Sequence, residues 1–243
     1  MNAVVESFRE KGFLVIPDAL AKSEVEALNG AIDTDQAVYP QLWQVRGEGG
    51  RQQSVAALLS SGAFDIAIRH PSIWPAIEEI MGAEVCFEEF SIMVRLAYAG
   101  EPLAPSWHRD TGHWLEHPYC IKNLSVVYYL TDVDADSHCF AIVPERVEQK
   151  KEAPDQRDGE GGVEIYATAG TAILFNAASC HAGIVKRTER ERRTIHIYYG
   201  HRSQPILSNH TLCPRRLLES ANSQERDFYG RPNLMTQLVR DNY

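Results

Sequence analysis

Two residue types that bind metals are separated by a single residue in Trp107-His108-Arg109-Asp110. Along an extended segment successive side chains leave opposite faces, so His108 and Asp110 project together while Arg109 projects away. One imidazole and one carboxylate on a common face make part of a metal site. A second imidazole would complete a set of two His and one carboxylate, which leaves coordination positions open and suits a ferrous ion that activates O₂. His181 is the candidate for that imidazole. The apolar run Ala172-Ile173-Leu174-Phe175 reads as a strand that delivers the residues from Asn176 to His181 to its edge. Arg192 opens another strand soon afterwards, and a guanidinium there can grip a carboxylate through two parallel hydrogen bonds.

Other residues compete for attention. A lone His-x-Asp also occurs in ordinary polar loops. His113 and His117 follow Asp110 and raise the alternative of a His-rich zinc site. Cys180 beside His181 is no nucleophile–base pair, because neighbours on a strand face opposite ways. The run from Lys186 to Arg193 mixes both signs and reads as a solvated turn.

The elements that must position these groups fall into two kinds. The first third is mostly helical. A short helix over 4–11 ends at Gly12, and Phe13 to Ile16 reads as a buried strand ended by Pro17. Ser23 with Glu26 predicts a capped helix through about Ile32. Residues 33–50 read as irregular, 51–60 as helical, and 71–81 as a helix stopped by Gly82. From Glu84 the chain changes character. Segments 84–98, 122–131, 138–143, 163–166, 171–175, 180–186 and 192–200 are rich in Val, Ile, Tyr, Phe and Thr, with turn residues between them. That pattern predicts a β-sandwich or barrel and argues against a doubly wound sheet. The charged, Gly-ended interval 144–162 reads as a long surface loop and a candidate lid. We read 1–243 as a single domain with a helical layer over 1–83, a β core over 84–204 and a C-terminal extension over 205–243.

Bulk properties narrow the function. A chain of 243 residues, 44% of them hydrophobic, can bury a sizeable core. A formal net charge of -9 argues against a nucleic-acid partner. Five scattered Cys without CxxC spacing read as reduced thiols of a cytoplasmic protein. Glu6 and Arg9 interrupt any apolar N-terminal run, so no signal peptide is expected, and no stretch approaches the ~20 apolar residues of a membrane span. The oligomeric state is not readable from the residues.

Several stretches in register resemble the phytanoyl-CoA hydroxylase-like (PhyH) family of iron(II)/2-oxoglutarate-dependent dioxygenases. They are Phe8 to Asp18, Trp107 to Asp110, Leu130 to Asp134, Cys139 to Pro144, Leu174-Phe175, His181 to Gly183 and Thr188 to Arg193. The resemblance implies a mainly β fold, a double-stranded β-helix or jelly roll of the cupin kind, with the helical layer at its N-terminal side. It implies that His108, Asp110 and His181 bind Fe(II), and that Arg192 pairs with the distal carboxylate of 2-oxoglutarate while its other end chelates the metal beside O₂. The expected activity is hydroxylation or related oxidation of a small molecule, such as an amino-acid derivative, a natural-product intermediate or a lipid-like acid. Halogenases of the family carry Ala or Gly at the carboxylate position, so Asp110 favours hydroxylation or a related oxidation over halogenation.

The resemblance also suggests residues around the metal. Trp114 matches a Trp beside the co-substrate in similar ectoine hydroxylases, although a core aromatic is an equal reading. Met93 and Arg95 lie on the strand that lines the family's pocket, and Arg95 could bind 2-oxoglutarate or a substrate anion, or be a surface charge. His196 shares the face of Arg192 by alternation, and Tyr129 could line the pocket; a core role competes for both. The chain departs from the family at Ser137-His138 and at Glu145-Arg146-Val147, expected to border the pocket mouth. Two rival readings are a cupin-type metal enzyme without 2-oxoglutarate and a non-catalytic jelly-roll binding protein.

Overall fold

The computed structural model describes residues 3–47, 49–150, 159–220 and 222–242. Among the described residues ten strands build two antiparallel sheets. In chain order they are β1 (Phe13–Ile16), β2 (Gln44–Arg46), β3 (Arg51–Ser54), β4 (Val85–Arg95), β5 (Leu124–Tyr129), β6 (Cys139–Ile142), β7 (Val163–Ile165), β8 (Ala172–Asn176), β9 (His181–Ile184) and β10 (Arg192–His201). The larger sheet has the order β1-β8-β5-β10-β4-β3-β2 and the smaller one β7-β6-β9. Helices α1 (Ala3–Lys11), α2 (Lys22–Val38), α3 (Ala57–Ser60), α4 (Asp65–Ile68), α5 (Trp74–Met81), α6 (Arg215–Leu218), α7 (Ser223–Tyr229) and α8 (Leu234–Asn242) flank them. This is the mainly β jelly roll with an N-terminal helical layer that the sequence predicts.

The large sheet is covered on both faces, which explains why β5 is apolar or buried at every position instead of alternating. One face carries Val126, Tyr128, Leu174, Ile195, Ile197 and Tyr199 into a core shared with the helices. The other carries Val127, Tyr129, Ile173 and Phe175 against Phe140, Ile142 and Ala182 of the small sheet. The space between the sheets is where inward polar side chains of β4 and β10 must go.

The N-terminal third differs from its expected form. Residues 33–38 continue α2, and residues 51–54, expected to be helical, form β3. The physical cause is long-range: β3 pairs along β4, with Gln53 opposite Met93 and Ser54 opposite Ile92. The helix α2 begins one residue before the expected cap, and the Glu24 side chain accepts from the Ala21 N–H at 2.7 Å. The helix α7 was not foreseen. Of the expected loop 144–162, residues 151–158 lie outside the described residues. Its end lies against the site, for a Cβ on Gly159 or Gly162 would collide with the Trp107 indole. No helix among the described residues is long and apolar enough to cross a membrane.

Candidate metal site and its surroundings

His108 and His181 are direct backbone partners. The His108 N–H donates to the His181 carbonyl at 3.0 Å, and the His181 N–H donates to the His108 carbonyl at 2.9 Å. The Asp110 N–H donates to the Ala177 carbonyl at 2.9 Å, fixing the second half of the motif against the approach to β9. One donor atom from each of His108, Asp110 and His181 lies within 4.8 Å of the others.

The ring orientations suit a cation. The Nδ1 atoms of His108 and His181 lie 2.8 and 3.0 Å from the carbonyls of Ser106 and Ser179. A carbonyl can only accept, so each Nδ1 carries the proton and each Nε2 presents a lone pair. Those Nε2 atoms face the Asp110 carboxylate at 3.5 and 3.4 Å. The Tyr198 hydroxyl donates to Asp110 Oδ2 at 2.8 Å and orients the carboxylate from β10. Burial alone would raise the Asp110 pKa, but His181, His108 and Tyr198 outweigh it and hold the carboxyl below its ordinary range. A charged carboxylate and two imidazole lone pairs converging on one point form the donor set of a divalent transition metal with open positions. The His108 side chain is half exposed and His181 is buried, so the set opens to solvent on the His108 side.

What holds the two segments together was not foreseen. Arg109 projects opposite to its neighbours, as alternation requires, into a buried ion pair. Its Nη1 and Nη2 donate to Glu145 Oε2 and Oε1 at 2.6 and 2.9 Å, and Nη1 also donates to the Ala178 carbonyl at 2.6 Å. The Cys180 N–H points at the same carboxylate, 3.4 Å away. Glu145 therefore does not border the pocket mouth, as its departure from the family suggested; it ties both ligand segments from behind. Gly12 closes against this support. Its φ of +74° and its contact with the Glu145 carbonyl, where a Cβ would sit at 2.7 Å, both require glycine. His138 is likewise buried, with Nε2 2.9 Å from the Leu96 carbonyl and Nδ1 accepting from the Lys186 N–H, so it too is structural.

Beside the metal donors lies a basic region. Arg192, Thr194, His196 and Tyr198 alternate onto one face of β10, opposite to Ile195, Ile197 and Tyr199 in the helical core. Arg192 is buried, and its Nε and Nη1 have no hydrogen-bond partner among the described residues. Arg95, its cross-strand neighbour on β4, donates to the Gly49 carbonyl at 3.3 Å. A cleft of about 640 Å³ lined by Arg51, Arg95, Ser106 and His108 opens this region to solvent.

The remaining expected residues divide. Met93 pairs with Thr194 on the cavity face. His196 lies 3.0 Å from the Thr194 hydroxyl; burial first, then Arg192 and Arg51, push its pKa down to about 3, so it stays neutral. Tyr129 is a structural brace, for its hydroxyl donates to the Ile165 carbonyl and accepts from the Phe140 N–H, both at 2.9 Å. Trp114 is not beside the arginines. It stacks on His117 at 3.7 Å and meets His201, at the other end of β10 from Arg192. His117 is occupied in that stack and His113 approaches the Val147 carbonyl, so neither joins the metal donors.

Glu89 was missed. It is the cross-strand partner of Tyr198 and shares its face, so its carboxylate enters the cavity near Asp110. Burial first, then Glu88 and Asp110, push its pKa up to about 7. A carboxyl that binds its proton more tightly when folded adds stability below the ordinary carboxylate range and loses it as pH rises through about 7. Glu89→Gln in the metal-free protein is therefore expected to raise unfolding stability by about 1–2 kcal/mol at pH 8 and not at pH 4. Denaturant curves at both pH values check this, and an equal shift at both would refute it.

Solved structures share the fold at low identity. HygX from Streptomyces hygroscopicus with nickel and 2-oxoglutarate bound is 17% identical, with TM-score 0.69, covering 85% of this chain and 89% of that one. The non-heme alpha ketoglutarate dependent epimerase SnoN from nogalamycin biosynthesis is 20% identical, with TM-score 0.67, covering 82% and 79%. AviO1 from Streptomyces viridochromogenes Tue57 is 19% identical, with TM-score 0.67, covering 84% and 96%. No curated protein matches in sequence. The family comparison matches residues 8–194, most of the chain and a span that includes His108, Asp110 and His181, and on that match the protein belongs to the phytanoyl-CoA dioxygenase (PhyH) family.

Proposed function

We propose that the protein is an iron(II)- and 2-oxoglutarate-dependent oxygenase acting on an unactivated C–H bond of a small molecule, with hydroxylation as its reaction. The observation that carries this reading is the convergence of His108, Asp110 and His181 within 4.8 Å, together with a buried Arg192 whose Nε and Nη1 lack hydrogen-bond partners among the described residues. A buried guanidinium without an acceptor is costly, and a bound dicarboxylate removes that cost. On this reading Fe(II) would be held by His108, Asp110 and His181, and 2-oxoglutarate would reach from it to Arg192. When bound with O₂, these cofactors supply oxidation of a substrate C–H coupled to decarboxylation of 2-oxoglutarate to succinate and CO₂.

The chain's own groups do the rest. The Ser106 and Ser179 carbonyls hold both imidazoles in one tautomer. Tyr198 orients the Asp110 carboxylate. Arg192 orients the keto acid, and the apolar wall of Val127, Ile173 and Phe175 limits water. The substrate classes we favour are amino-acid derivatives, natural-product intermediates and lipid-like acids. Natural-product intermediates draw support from HygX, which has been solved with hygromycin B bound, and from the epimerase SnoN of nogalamycin biosynthesis, which makes epimerisation the reaction to test against hydroxylation.

The test is anaerobic addition of Fe(II) and 2-oxoglutarate, which is expected to produce a weak visible charge-transfer band, followed by succinate release on exposure to O₂. Metal binding without the band would defeat the reading. Arg192→Met is expected to weaken 2-oxoglutarate binding by roughly 10- to 150-fold, the worth of a hydrogen-bonded charge. Metal affinity should stay unchanged. Calorimetry on the Ni(II)-loaded protein measures both, and an unaltered 2-oxoglutarate affinity would assign Arg192 to structure alone.

A further inference from the structure

Three arginines stand in a row across adjacent strands. Arg192 on β10 is the cross-strand partner of Arg95 on β4, and Arg95 is the partner of Arg51 on β3. Cross-strand partners share a face, so all three side chains leave the sheet toward the cavity of His196 and Tyr198. Strands lie about 4.8 Å apart, which places the Arg51 backbone roughly 10 Å from that of Arg192. Among the described residues no carboxylate pairs with Arg51 or Arg192. The Nε of Arg51 is buried without a hydrogen-bond partner, as are Nε and Nη1 of Arg192. Burial first, then the charges of Arg46 and Arg192, lower the Arg51 pKa, so the row repels itself.

One 2-oxoglutarate does not neutralise this row. On the oxygenase reading its keto-acid end would be held at the metal and its single distal carboxylate at Arg192, beside Arg95. Arg51 is left over, two strands away. It stands instead with Arg46 at the wall of the 640 Å³ cleft that leads to His108, the open side of the metal donors. Among the described residues the Arg46 guanidinium donates to the Gln44 side-chain oxygen, at 2.9 and 3.2 Å, a contact that is solvent-exposed and easily exchanged.

Building on the oxygenase reading, we propose that the substrate is an anion, and that its carboxylate or phosphate is bound by Arg51 with Arg46 in the cleft, separately from 2-oxoglutarate. The rest of the substrate then extends past Ser106 toward His108. A guanidinium suits either oxyanion through paired hydrogen bonds, which a neutral amide cannot match.

The test uses the full chain loaded anaerobically with Fe(II) and saturating 2-oxoglutarate. Benzoate, phenyl phosphate and benzamide are titrated in by calorimetry. At least one of the two anions is expected to bind, with benzamide at least about tenfold weaker, and the better anion tells a carboxylate substrate from a phosphate one. Arg51→Gln is expected to weaken that anion at least about tenfold, Arg51→Lys by less than about threefold, and neither to change 2-oxoglutarate affinity more than about twofold. Circular dichroism confirms that both variants fold. Binding of benzamide as tightly as the anions, indifference to Arg51→Gln, or absence of anion binding overturns the proposal while leaving the oxygenase reading in place. An equal loss of 2-oxoglutarate affinity in Arg51→Gln also overturns it, by assigning Arg51 to the co-substrate. Failure of 2-oxoglutarate itself to bind removes the underlying reading and this proposal with it.

Discussion

Asp110→Ala is expected to leave a folded protein that no longer retains iron and forms succinate at least about 10³-fold more slowly, a barrier increase of about 4 kcal/mol. The carboxylate supplies the one negative charge among the three donors, and both imidazole Nε2 atoms are aimed at it. Without it, two neutral imidazoles hold a divalent ion weakly, and Tyr198 loses its acceptor. The fold should survive, because Asp110 lies beside Glu89 and its charge is a source of repulsion there. Iron content after desalting and succinate formed from 2-oxoglutarate are the two measurements. A variant that keeps both iron and turnover would show that the metal lies elsewhere.

The second large effect concerns stability. Arg109→Ala is expected to cost about 3–5 kcal/mol, because it strands the Glu145 carboxylate in the interior. Both side chains of this pair are 3% exposed, and the geometry is bidentate. For a chain of this length that corresponds to a fall in melting temperature of about 6–20 °C. The double variant Arg109→Met/Glu145→Leu should recover most of the loss, since it removes both charges and retains bulk. Chemical denaturation of wild type, single and double variants completes the comparison. If Arg109→Ala unfolds at the wild-type denaturant concentration, the pair is not what joins the ligand segments.

The convergence of His108, Asp110 and His181 was legible because its signal is local. His-x-Asp specifies a shared face through the period of the strand alone, and the apolar run before His181 announces the strand that delivers it. The start of β10 at Arg192 was legible for the same reason. Glu145 was not, because its meaning lies in a contact with Arg109 that no local pattern encodes; its departure from the family looked like variation at a pocket mouth. The strand at Arg51 was hidden because Arg-Gln-Gln-Ser has little intrinsic β preference and becomes extended only along the edge of β4. Glu89 escaped because a register shift lies next to its pairing with Tyr198, so alternation counted from the start of β4 does not reveal its face. Trp114 shows the limit of resemblance: the residue type and spacing match, but the chain beyond Asp110 carries the ring to His117 and His201.

The reciprocal backbone bonds between His108 and His181 decide when the ion must arrive. In small metal-nucleated domains the ligands meet only once the cation gathers them, and affinity is diminished by the work of ordering the chain. Here the sheet and the Arg109–Glu145 tie have already done that ordering. On the proposed reading the apoprotein is thus a finished receptacle, and iron would be lost and regained repeatedly in the folded state, adding to stability only as the free-ion concentration exceeds its dissociation constant.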